Sequence, residues 1–128
     1  MKLLLIAAFI FTPLCSQAEC WIVGNLKGQS QFSPEYKPQK DEAPGVYHIS
    51  INDGKASLTL VDDKYDAGLS YQPSSANSMI GTSQGDGRSL IETWTITGDK
   101  KVIYTKSRAN ISTMNQVSSF VGDVIGKC

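Results

Sequence analysis

One histidine, three cysteines and a scatter of serines and aspartates are the residues of this chain that could do chemistry. An acid–base or nucleophilic enzyme needs a positioned base, most often histidine. His48 sits in the middle of the alternating run GVYHISIN, between Tyr47 and Ile49, where a histidine ordinarily belongs to the polar face of a strand. No serine occupies a G-x-S-x-G elbow. Asp62 and Asp63 are neighbouring carboxylates, as a glycosidase would require, but they adjoin a turn and read as solvated. With Asp66 they make DDKYD, which lacks the spaced loop and closing glutamate of a calcium site. The expectation is a protein that recognises rather than catalyses, with no catalytic residue, no cofactor and no metal.

The cysteines speak to compartment. The opening MKLLLIAAFIFTPLCSQA has a basic start, an apolar run from Leu3 to Leu14 and small residues at Ser16 and Ala18. That pattern predicts a secretory leader over residues 1–18, and the apolar run is shorter than the ~20 residues a membrane-spanning helix needs. Neither Cys15 nor Cys20 follows the small residue that lipid attachment requires. Cleavage after Ala18 removes Cys15 and leaves Cys20 and Cys128 as an even pair, expected to form a disulfide in an oxidising compartment. A metal or redox pair lacks the C-x-x-C spacing and a nearby histidine. The product is expected to be periplasmic or secreted. The sequon at Asn110 matters only in a cell that glycosylates its exports.

Loss of Lys2 with the leader leaves 11 basic residues against 12 acidic ones. So even a balance predicts neither nucleic-acid binding nor a polybasic membrane patch, and no later segment is apolar enough to span a bilayer. Residues 19–128 are expected to form a single domain.

Two stretches could recognise a partner. GTSQGDGRS is glycine-rich and carries Ser83, Gln84, Asp86 and Arg88, either as an exposed binding loop or as an ordinary hairpin turn. SPEYKPQKDEAP, residues 33–44, holds Tyr36 among three prolines and reads as an extended surface loop.

Strands must position both stretches. GVYHISIN and ASLTLV alternate around an Asp-Gly turn, and SLIETWTIT and KVIYTKSR alternate around GDK, so two hairpins are predicted. Leu90, Trp94 and Ile96 share a face with Glu92, as Val102 does with Tyr104. GLSYQ and SMIGTSQG are weaker strands, and STMNQVSS could hold one helical turn. The first and last strands share the pattern Val-Gly-Asn/Asp-x-x-Gly. Cys20 set opposite Cys128 in an antiparallel pair puts Ile22 over Gly126, Val124 over Gly24, Leu26 over Gly122 and Phe120 over Gly28. Such alternation of large and small suits the inside of a small barrel. The predicted fold is all-β, an antiparallel β-barrel or closed sandwich of about seven or eight strands, with first and last strands paired and stapled.

Trp94, the run GDKKVIY and a C-terminal cysteine bonded near the start of the processed chain resemble the layout of periplasmic inhibitors of c-type lysozyme. The likeness covers Trp94 to Tyr104 and the cysteine pair. The family's Ser-Gly-x-x-Tyr motif is absent from TSQGDGRSL, and no Lys-Gly follows the tryptophan. The resemblance implies a small eight-stranded barrel that inserts a loop into a lysozyme cleft. The leading functional expectation is an exported, non-enzymatic β-domain that binds a protein partner such as a cell-wall hydrolase, as an inhibitor or exclusion factor. The alternatives are a calycin-like small-ligand binder and a secreted structural protein.

Overall fold

A computed structural model describes residues 19–61 and 69–128. The expected leader (residues 1–18) and the aspartates Asp62, Asp63 and Asp66 lie outside the described residues. Nine strands run in order: β1 Glu19–Phe32, β2 Gln39–Ala43, β3 Tyr47–Asn52, β4 Lys55–Leu60, β5 Ser70–Ser75, β6 Ser78–Gly85, β7 Arg88–Ile96, β8 Lys101–Ile111 and β9 Met114–Lys127. All pairings are antiparallel, in the order β4-β3-β1-β9-β8-β7-β6-β5, with β2 added beside β1. The described residues contain no helix. The sheet curls until β4 approaches β5, so it is nearly closed into a barrel.

Both predicted hairpins form. Asp53 and Gly54 take positive φ at the β3–β4 turn, the left-handed pair that a two-residue hairpin demands. Pro73 falls in β5, an end strand, where its missing N–H breaks no internal ladder.

Three local expectations are corrected. The proline loop is shorter than predicted, because its second half forms β2. β3 leaves the edge of β1 after Val23, and β2 takes up the backbone groups of β1 from Leu26 to Ser30. The helical turn is absent: Ser112 and Thr113, both at positive φ, close a hairpin, and Ile111 pairs directly with Met114. A tight turn between two long strands outweighs one turn of helix, which costs more to nucleate than it returns.

The third correction concerns β1 and β9. Facing residue numbers sum to 148 at Ile22 and Gly126, drop to 147 from Val23 to Gly24, and return to 148 from Lys27 onward. Two bulges compensate, an extra residue at Ile125 on β9 and one near Asn25 on β1, where Asn25 takes φ 56°. Val124 therefore faces Val23 rather than Gly24. Leu26 still lies over Gly122, with its Cδ2 2.7 Å from where a Cβ would sit, and Phe120 pairs with Gly28. The disulfide between Cys20 and Cys128 joins the two strand ends, with Cα atoms 5.3 Å apart.

Inside, alternation gathers Trp21, Val23, Leu26, Ile49, Met79 and Trp94 into one core with their neighbours. Trp94 stacks on Tyr104 at 4.0 Å between ring centroids, and Tyr104 on Phe120 at 5.4 Å. These three occupy one cross-strand row, and Gly28, next in that row, lets the backbone of Ser119 and Phe120 approach where a Cβ would sit. Burial of a Trp or Phe side chain contributes about 1.5–3 kcal/mol or more, so this ladder is a main source of stability.

Candidate functional site

The interior turns polar toward one end. One row beyond the aromatic ladder, Gly81, Glu92, Lys106, Ser118 and Ser30 lie in register across β6, β7, β8, β9 and β1. Glu92 is only 5 % exposed. Its carboxylate accepts hydrogen bonds from Tyr71 OH (2.9 Å), Tyr104 OH (3.0 Å) and Trp94 Nε1 (3.3 Å), and Lys106 Nζ stands 3.9 Å away. The Tyr71 ring lies over Gly81, where a Cβ would meet it at 2.4 Å. On the far side, Asp41 accepts from Ser30, Ser30 bonds Ser118 at 2.5 Å, and Gln116 Nε2 donates to Ser118. A further row brings Ser83, Leu90, Arg108, Gln116 and Phe32 to the mouth. Arg108 Nε and Gln116 Oε1 are buried there with no hydrogen-bond partner among the described residues.

The buried phenols have a measurable consequence. Burial, reinforced by the charge and hydrogen bond of Glu92, pushes the Tyr104 phenol far above the ordinary tyrosine range. Burial and then Glu92 push Tyr47 in the same direction. The folded state keeps Tyr104 neutral and favours neutral Tyr47, while the unfolded chain ionises near pH 10. Stability is therefore full below that pH and declines above it, by up to about 1.4 kcal/mol per pH unit for Tyr104. Denaturant midpoints measured from pH 8 to 11 should fall only above about pH 10, and Tyr104→Phe should flatten the decline. An unchanged slope in that variant would remove Tyr104 as its cause.

Three loops surround the mouth. The β6–β7 turn places Asp86 and Gly87 at φ 51° and 73°, and exposed Arg88 lies 3.6 Å from Asp86. Ser83, Gln84, Asp86 and Arg88 are all exposed. A shallow groove of about 220 Å³ runs between Ser83, Gln84, Gly85, Arg88, Ser89 and Ile111. Tyr36, 42 % exposed at φ 53°, stands on the β1–β2 loop after a cis peptide between Ser33 and Pro34. Tyr36 and the Ser83–Arg88 stretch, distant in the chain, share one rim.

What joins them is the β8–β9 hairpin. Asn115 Nδ2 donates to Tyr36 OH at 3.0 Å, and Asn115 Oδ1 accepts from Asn110 N at 3.0 Å. Asn110 Nδ2 in turn donates to Gly87 O at 3.0 Å. Asn115 N also donates to Ser33 Oγ, and Ser33 N to Asn115 O. A continuous chain of hydrogen bonds thus ties Tyr36 to the β6–β7 turn. Neither asparagine was singled out for this role from sequence; their polarity beside a hairpin turn was the available signal.

His48 lies elsewhere, half-buried on β3 and cross-strand from Ile22 and Thr59. No group of three His, Cys, Asp or Glu placed to hold a metal occurs among the described residues. No helix among them is long and apolar enough to cross a membrane.

The exposed turns should carry little of the fold. Simultaneous replacement of Ser83, Gln84 and Arg88 by alanine should shift stability by less than about 0.5 kcal/mol per site, as exposed turn positions usually do. A large fall in melting temperature would make the stretch structural.

Fold and rim together define an all-β domain whose antiparallel sheet is nearly closed into a barrel, with disulfide-stapled ends and a loop rim over a polar mouth. Comparison with protein-family models, with curated proteins and with solved structures finds no match for this chain.

Proposed function

We propose that this chain is an exported, non-enzymatic β-domain that binds a protein partner through the rim formed by Tyr36, the β6–β7 turn and the β8–β9 hairpin. The observation that carries the reading is the hydrogen-bond chain from Tyr36 through Asn115 and Asn110 to Gly87. Loops tied together before binding lose less conformational entropy on docking than free ones. The rim also offers Tyr36 and Arg88, residue types that dominate binding energy at protein interfaces. The packed aromatic interior favours a partner held outside the barrel over a ligand enclosed within it.

The leader-like opening and the disulfide support export to a periplasm or the cell exterior. The likeness in layout to lysozyme inhibitors makes a c-type lysozyme the first partner to try, and cell-wall hydrolases the first class.

The test is a binding and lysis assay with the oxidised protein and a c-type lysozyme, alongside capture from periplasmic or culture fluid. A saturable complex weakened by Asn115→Ala, in a variant that keeps its melting temperature, is the expected result. Binding indifferent to every rim substitution would contradict the proposal. So would a hydrolytic activity of the protein itself that vanished in a folded His48→Ala variant.

A further inference from the structure

The outer face of β6 to β9 carries no charge over twelve consecutive outward positions in three cross-strand rows. Thr82, Ile91, Ser107 and Val117 form the row nearest the rim. Ile80, Thr93, Thr105 and Ser119 follow, then Ser78, Thr95, Ile103 and Val121. Every residue is Ile, Val, Thr or Ser. The five aliphatic side chains are 41–53 % exposed. Charges begin only at the margins, with Lys27 beside Val121 and the ion pair of Lys101 with Asp123 at 2.6 Å. A sheet face in contact with water alone normally carries charged residues.

The arrangement within the rows names the occupant. A two-fold axis parallel to the strands, laid over the seam between β7 and β8, superposes β7 of one copy on β8 of the other and β6 on β9. Ile91 then meets Ser107 and Ile103 meets Thr95, while on the flanking strands, where the convex faces part, Ile80 lies opposite Ser119, Val117 opposite Thr82 and Val121 opposite Ser78. Each exposed aliphatic side chain is thus set opposite a small hydroxyl residue, and at the centre Thr93 meets Thr105. Large over small is what lets two sheet faces pack about 10 Å apart. We infer that this face is an isologous interface between two copies of the chain, a closed pair that leaves the rim of each copy open.

Size sets its strength. Four strands about 4.8 Å apart, with a rise of about 3.4 Å per residue, give a patch roughly 20 Å on a side. About 400 Å² lies within the range of large monomer patches and is about half the standard area per partner. The pair is accordingly weak, dissociating in the micromolar range or above, and it centres on β7 and β8 because both faces are convex.

Sedimentation equilibrium of the purified oxidised protein from about 1 µM to 1 mM spans that range. The expected result is reversible association that stops at two copies. Ile91→Lys and Ser107→Glu should each abolish it, because each sets a charge against an apolar or hydroxyl surface. An equimolar mixture of the two variants should associate again, as the introduced ammonium and carboxylate meet across the axis. Ile125→Lys, outward but outside the three rows, should associate like the wild type. Melting temperatures near wild type show that the variants fold. A monomer at every concentration would overturn the inference. Growth beyond two copies, or a mixture that fails to associate, would overturn it as well.

Discussion

Replacing Cys128 with serine is expected to cost a large part of the stability of the domain. The bridge closes a loop with a sequence separation of 108 residues. Restricting an unfolded chain of about that length is worth up to ~4.7 kcal/mol in the loop-entropy account, and native bridges removed from small domains typically cost 2–5 kcal/mol. Total stabilities of 5–15 kcal/mol make that a third or more of the whole in many domains. The bridge also lies where the sheet is joined: β1 and β9 share the longest ladder, and Cys128 N donates to Cys20 O at its end. Urea unfolding of Cys128→Ser against wild type under oxidising conditions measures the difference. The same comparison with reductant in both samples should bring the two curves together. A loss below about 1 kcal/mol would show that the ladder holds the ends without the staple.

Gly28→Ala should be as damaging, for a steric reason. A Cβ at Gly28 would sit 1.8 Å from Ser119 O and 2.8 Å from Phe120 Cα, and backbone cannot turn aside as a side-chain tip can. β1 and β9 would have to part at the row that seats Phe120, so the loss should reach about 3 kcal/mol or more, the upper end for overpacking. Gly126→Ala is the matched control. A Cβ there meets nothing within 4 Å, so its effect should stay within about 0.5 kcal/mol. Similar losses for both would mean that the cost comes from flexibility of the unfolded chain, not from close approach of the strands.

These two glycines show how far the sequence could be read. The alternating apolar runs and the Asp-Gly turn were enough for hairpins, and the pair Cys20 and Cys128 for the joining of the ends. The register of 148 was legible on either side of Gly24, but not the face on both sides: Phe120 turns inward as expected, whereas Ile22 lies between the core residues Trp21 and Val23 and faces outward. The compensating bulges were not legible. The two shifts cancel in the register sum, yet each flips the inward parity of its own strand, so β1 buries Trp21 and Val23 before Asn25 and Leu26 and Ser30 after it. Asn25, a residue that tolerates positive φ, marks the place. β2 was hidden for a different reason: QKDEA has no apolar alternation, since it pairs along an edge of β1 and half its side chains face water.

Of the site, the individual loops could be nominated but not their meeting. Tyr36 on the β1–β2 loop is far in the chain from Ser83, Gln84, Asp86 and Arg88 at the β6–β7 hairpin, and only the pairing of β1 with β9, β9 with β8 and β8 with β7 brings them to one end. Glu92 could be placed on the inner face of β7 from its alternation with Trp94. Its cage of Tyr71, Tyr104 and Trp94 depended on cross-strand neighbours that periodicity alone does not pair.

Recognition through the rim is the central claim, and a ratio of affinities tests it most directly. Binding to a captured partner or to c-type lysozyme should be compared among the wild type, the Ser83, Gln84 and Arg88 triple alanine variant, Tyr36→Ala, and Lys55→Ala at the β3–β4 turn away from the rim. The triple variant and Tyr36→Ala should each lose at least about tenfold in affinity, as truncation of interface anchors does, while Lys55→Ala binds like the wild type and all four melt at similar temperatures. Undiminished binding by both rim variants, with all proteins folded, would contradict the account.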